Sequence, residues 1–150
     1  SAASDVYKRQ QAPRPVTRFI TLAEYLWLAE QATADDATAL ARTARIDLAD
    51  SALHAPQAGF GDAEFYPDLY DKAAVLLCRL TWNHPLVDGN KRAAWASLVL
   101  FIDLNEGRWD PDPPDVDEAE AAMFAIASGD VDEAWTAEWL RDRVYFSGIG

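Results

Sequence analysis

Apolar residues recur at helical spacing along most of the chain, and the intervals between them carry turn and capping residues. Thr21 opens T-L-A-E, a capping-box pattern closed by Glu24. Leu22, Tyr25, Leu26, Leu28 and Ala29 follow at helical spacing, which predicts a helix over 21–33. Residues 36–44 are Ala-rich and read as helical, and Leu48, Ala49, Ala52 and Leu53 predict a short helix ending near Pro56. Residues 55–67 hold two Gly, two Pro and three aromatics, which makes them a loop or small hairpin. Asp68 begins the next helix, with Leu69, Ala73, Leu76, Leu77 and Leu80 as its apolar stripe and Asn83 and Pro85 at its end. From Asn90 to Asn105 the chain is apolar almost all round, which predicts a helix in the centre of a bundle, with Gly107 as its C-terminal cap. Pro111, Pro113 and Pro114 make a stiff connector. Asp115 and Glu118 start a helix to Ser128, and a last helix covers 131–143 with Trp135, Trp139 and Leu140 facing inward. Long alternating β-branched runs are missing, so the pattern predicts an all-α domain.

Composition narrows the function. The chain has 150 residues, half of them apolar, enough for one domain with a real core. Its formal charge of −12 has the wrong sign for an electrostatic footprint on nucleic acid. Between Asp110 and Glu133 lie nine acidic residues and no Lys or Arg, which reads as a solvated face, with a docking surface for a basic partner as the alternative. A single cysteine, Cys78, excludes an intrachain disulfide, and two His exclude a His-rich metal cluster. No apolar run is long enough to span a membrane, and no export signal is visible, so the expected compartment is the cytoplasm. Residues 1–18 read as a disordered or non-native leader, 19–146 as the domain and 147–150 as a tail.

The chemistry concentrates in H-P-L-V-D-G-N-K-R-A-A, residues 84–94, where polar residues open the most apolar helix. The first turn of a helix leaves backbone N–H groups without partners and carries partial positive charge. Gly89 allows close approach to that backbone, and Lys91 and Arg92 add two cations, which together describe a phosphate site. Asp88 is a hard oxygen ligand in the same turn and the natural place for Mg²⁺ beside phosphate oxygens. His84 stands four residues earlier, and imidazole suits proton abstraction near neutral pH. A cradle, a metal and a base are the parts phosphoryl transfer needs. The same residues also describe an ordinary helix-linking turn; their place at the mouth of an apolar helix favours the site.

H-P-L-V-D-G-N-K-R resembles the signature of the Fic/Doc (Fido) family, in its death-on-curing (Doc) branch. The blocks at 48–56, 65–74, 100–107 and 125–130 resemble the Doc-type pattern in order and spacing. The resemblance implies a compact Fido-type helical bundle with a small flap at 55–67, and ATP with Mg²⁺ at the site. Fic-type members carry Gly where Lys91 stands and a second Arg where this chain has Trp95, and they transfer AMP. Lysine at 91 is the Doc-type choice, for which the resemblance implies a reversed nucleotide and a protein Ser/Thr kinase. His84 would then be the general base and Asp88 the Mg²⁺ ligand. Gly89 and Asn90 would shape the phosphate cradle, with Lys91 and Arg92 neutralising phosphate charge. Leu86 departs from the usual Phe and Ala93 from a frequent Thr. The implied target is a Thr of elongation factor Tu, the implied outcome arrested translation, and the implied partner a Phd-like antitoxin laid into an apolar groove. The self-inhibitory pattern of Fic proteins is missing, since Ile102 stands where it needs Ser or Thr before Glu106-Gly107. An AMP transferase and a catalytically silent binding module of the same fold are the alternatives. Phe60, Phe65 and Tyr66 either line the flap groove or cap the core, and His54 reads as structural or solvated.

Overall fold

A computed structural model describes residues 16–147. Most of the leader and tail expected from the sequence, residues 1–15 and 148–150, lies outside them. Local chemistry sets most helix starts. Helix α1 (Leu22–Ala32) opens with the capping box: Glu24 N–H donates to Thr21 Oγ1 (3.1 Å) and Thr21 N–H donates to Glu24 Oε1 (2.9 Å). Asp36 caps α2 (Ala37–Thr43) through the Ala39 N–H at 2.8 Å. Helix α3 (Ile46–His54) runs into a single 3₁₀ turn at Ala55–Gln57 containing Pro56. Asp68, Asp115 and Asp132 cap α4 (Leu69–Asn83), α6 (Val116–Ser128) and α7 (Glu133–Arg141) in the same way.

The segment after α3 is a small hairpin. Strand β1 (Gly59–Phe60) pairs antiparallel with β2 (Ala63–Glu64), and Gly61 takes the left-handed conformation the tight turn requires. A second ribbon joins β3 (Gly107–Trp109) to β4 (Val144–Phe146). The all-α class therefore holds with two minute ribbons added, each too short to leave an alternating pattern in the sequence.

The apolar helix α5 (Asn90–Leu104) packs against α1, α4, α6 and β3 with Ala93, Ala94, Leu98 and Phe101 fully buried, as its hydropathy predicts, while Lys91, Arg92, Val99 and Asp103 are exposed. Helix α4 shares the centre with it, packed on α3, α5, α6 and α7. Two polar residues of α4, Lys72 and Thr81, are buried with its apolar ones. Both are satisfied internally: Thr81 Oγ1 donates to the Leu77 carbonyl at 2.8 Å, and Lys72 Nζ donates to the Tyr66 carbonyl beside the Glu64 carboxylate at 3.3 Å.

Two expectations are corrected. Helix α5 ends at Asn105, whose side-chain amide donates to the Phe101 carbonyl, and Glu106 takes the positive φ of 60°. Gly107 instead belongs to β3, where a Cβ would lie 2.6 Å from Phe146 and 2.8 Å from Ile102, so it is small because β3 and β4 close onto the core. Trp135 faces outward, stacked on Trp139 at 6.5 Å, while Trp139 and Leu140 are buried as expected. Cys78 is a core residue with its Sγ 3.4 Å from Thr136 Oγ1, and burial pushes its thiol up to about 12. His54 is exposed and bonds to the Asp50 carbonyl at 2.8 Å, so it serves its own helix.

Candidate active site

Helix α4 stops at His84, which takes a left-handed conformation (φ 52°, ψ 56°). For a residue with a Cβ this costs about 1–2 kcal/mol and persists only where neighbours hold it. The neighbours are present. Asn83 Nδ2 donates to the Leu48 carbonyl (3.0 Å), Arg45 N–H donates to the Pro85 carbonyl (2.8 Å), and Arg45 Nη2 reaches the His84 carbonyl at 3.5 Å. Pro85 and Leu86 are buried. From the other side Asn90 closes a two-bond ring with Leu86: the Leu86 N–H donates to Oδ1 at 2.9 Å and Nδ2 donates to the Leu86 carbonyl at 2.8 Å. The turn is thus pinned by its backbone, and the imidazole of His84 is left exposed.

Gly89 is the N-cap of α5 with φ 81°, and no side chain caps this helix. The caps of α1, α2, α4, α6 and α7 are all filled by Thr or Asp. The first N–H groups of α5 therefore keep their hydrogen-bonding capacity and their partial positive charge. Lys91 and Arg92 are exposed beside them, and Asp88, 89% exposed, lies 3.8 Å from Arg92 Nη2. Two cations against one carboxylate make this a locally positive spot on an acidic chain.

His84, Asp88, Gly89, Asn90, Lys91 and Arg92 all line one cavity of about 590 Å³. The structure thus brings every expected site residue to a single place. Asn90 is buried, and both polar ends of its side chain are bonded to Leu86, so it acts by bracing the loop. Among the described residues no group of three His, Cys, Asp or Glu could hold a metal ion. Among the described residues Asp88 is the one carboxylate lining this cavity. That donor set fits Mg²⁺, which accepts one or two carboxylates and takes its other ligands from phosphate oxygens and water.

Gly89 is also fixed by space. A Cβ there would lie 2.6 Å from Thr33 Cγ2 and 3.3 Å from Arg92 Nη2. Gly89→Ala is expected to lower unfolding stability by about 1–3 kcal/mol from the positive φ and the clash with Thr33. Urea denaturation checks this, and an unchanged midpoint would refute it.

The flap lies upstream on α4. Its Phe60 and Phe65 are largely exposed, at 84% and 61%, so they do not cap the core. Tyr66 is half-buried, 3.5 Å from Arg79, whose Nε pairs with Glu133 at 2.7 Å. The supports Thr33, Arg45 and Lys72 gave no signal in the sequence, because each acts on a segment remote along the chain or unremarkable by type.

Comparison of the sequence with known proteins points to a family. The family model described as Fic, the Fic/DOC family, matches residues 19–102, which include the whole site. A protein named Toxin Doc from Mycolicibacterium smegmatis (strain ATCC 700084 / mc(2)155) is 47% identical over 85 residues. That alignment covers 57% of this chain and 65% of the relative, less than two thirds of that protein's length.

Proposed function

The chain belongs to the Fic/DOC family, and from that premise we propose that it is a Doc-type toxin that moves the γ-phosphoryl group of ATP to a Ser or Thr hydroxyl of a protein. The observation that supports this most is the uncapped start of α5, with Lys91 and Arg92 beside it and His84 held on the same cavity. The N–H groups of that turn and the two cations bind the phosphates of ATP. Asp88 would hold Mg²⁺, which supplies further charge neutralisation at the phosphates. His84 takes the proton of the target hydroxyl as its oxygen bonds to the γ-phosphorus. The bond from that phosphorus to the β-bridging oxygen breaks, and ADP leaves.

By resemblance the target is a Thr of elongation factor Tu, which would place the action in the cytoplasm and stop translation. An antitoxin protein would restrain it. The test is brief induction in a bacterial host followed by phosphoproteomics and a growth curve. The expected result is growth arrest with a new phosphothreonine on elongation factor Tu, relieved by the cognate antitoxin. Arrest without any new phosphorylated protein would refute the kinase reading, and normal growth would refute the toxin reading.

A further inference from the structure

Arg45 breaks a local rule beside the candidate active site. It is the N-cap of α3, where Ser, Thr, Asp or Asn would bond the free N–H groups of the first turn, and its side chain makes no such bond. Its cation also sits at the positive end of that helix. No carboxylate compensates. Arg79, Arg92, Arg108, Arg141 and Arg143 each have one within 4.0 Å. Among the described residues Arg45 has none, although Asp47 stands two residues on, in the first turn of α3. The guanidinium is exposed, and among the described residues its one hydrogen-bond partner is the His84 carbonyl at 3.5 Å, the long limit of such a bond. The Arg45 N–H, 2.8 Å from the Pro85 carbonyl, pins the turn whatever side chain this position carries. Arg42 also lacks a carboxylate partner among the described residues, but it lies in the last turn of α2, where a helix favours a cation. A local rule broken beside a site is expected where the function needs that residue.

We propose that Arg45 is a docking residue for the protein target, taking a carboxylate side chain of the segment that carries the reacting hydroxyl. The inference rests on the proposed transfer to a protein. Arg45 touches the backbone of the residue whose imidazole meets that hydroxyl, so a target side chain held there lies close along the chain to the reacting one. Arg45 does not line the phosphate cavity, which leaves it to the target and not to the nucleotide. A chain of formal charge −12 repels an acidic segment, and an unpaired guanidinium offsets that repulsion locally. Its planar fork matches a carboxylate through two parallel hydrogen bonds. Nucleic-acid phosphate, the other anion such a fork takes, is disfavoured by the same net charge.

The test follows label from γ-labelled ATP with Mg²⁺ into the proteins of a bacterial lysate, at increasing lysate concentration, for the wild type, Arg45→Gln, Arg45→Lys and Arg42→Gln. Both arginines are exposed, so the core is untouched, and Arg42→Gln removes the same charge away from His84. Arg45→Gln is expected to raise the half-saturating lysate concentration about three- to ten-fold, with the maximal rate and the KM for ATP unchanged. Arg45→Lys keeps the charge and recovers most of that loss, while Arg42→Gln stays within about twofold of the wild type. Raising salt from about 50 to about 300 mM is expected to narrow the gap between the wild type and Arg45→Gln. If the wild type labels protein and Arg45→Gln saturates as it does, the docking assignment is overturned while phosphoryl transfer stands. If Arg45→Gln instead lowers the maximal rate or shifts the KM for ATP, Arg45 serves the turn that holds His84, and the assignment is again overturned. If the wild type labels no protein, both fall.

Discussion

Replacing His84 by alanine is expected to lower phosphoryl transfer from ATP to protein by about 10²–10⁴-fold, the typical contribution of a positioned general base. That corresponds to about 3–5 kcal/mol of lost transition-state stabilisation. The substitution separates chemistry from folding, because the fold uses only the backbone of this residue. Its carbonyl faces Arg45, and the turn around it is held by Asn83, Pro85, Leu86 and Asn90. The imidazole is exposed and is not required for packing. His84→Ala should therefore unfold near the wild-type urea midpoint, bind ATP with similar affinity and transfer phosphate hardly at all. It should also abolish growth arrest on expression. Undiminished transfer by a correctly folded variant would remove His84 from the chemistry.

Replacing Lys72 by methionine is expected to cost about 1–3 kcal/mol of stability and to loosen the flap. Lys72 is 1% exposed, yet its ammonium group is satisfied by the Tyr66 carbonyl and the Glu64 carboxylate, one just after and one within the hairpin. Methionine keeps the volume and removes the donor. The Tyr66 carbonyl then loses its hydrogen bond, and an orphaned buried acceptor costs about 1–3 kcal/mol. Glu64 is more than half exposed, so water screens it and its share of the effect is small. Urea denaturation measures the stability change, and limited proteolysis within residues 55–67 measures the release of the hairpin. A variant as stable and as protected as the wild type would show that Lys72 does not tether the flap.

These two residues also mark what the sequence discloses and what it withholds. His84 stands out as a candidate because residues 84–92 form one contiguous stretch whose residue types suggest their chemistry, and the structure keeps them on one cavity. Helix starts at Thr21, Asp68 and Asp115 were legible for a similar reason, since a cap is decided within three residues. Lys72 was not legible. Its burial depends on the hairpin folded over it, which no local pattern along α4 reports. Gly107 read as a helix cap because a glycine after an apolar helix often is one. Its smallness answers instead to Phe146, 39 residues away, which no local pattern reports. Asn90 lines the candidate cavity with the other expected residues, and its bonds to Leu86 show it shaping the loop from within the core.

In the proposed reaction the open end of α5 presents the terminal phosphate of ATP to a hydroxyl. Purified protein incubated with a bacterial lysate and ATP labelled at the γ-phosphate, or in parallel at the α-phosphate, distinguishes the possibilities. Protein-bound label is expected from the γ position alone, and none with His84→Ala. Label reaching protein from the α position would make the enzyme an AMP transferase and overturn the kinase reading, and label from neither position would overturn it as well.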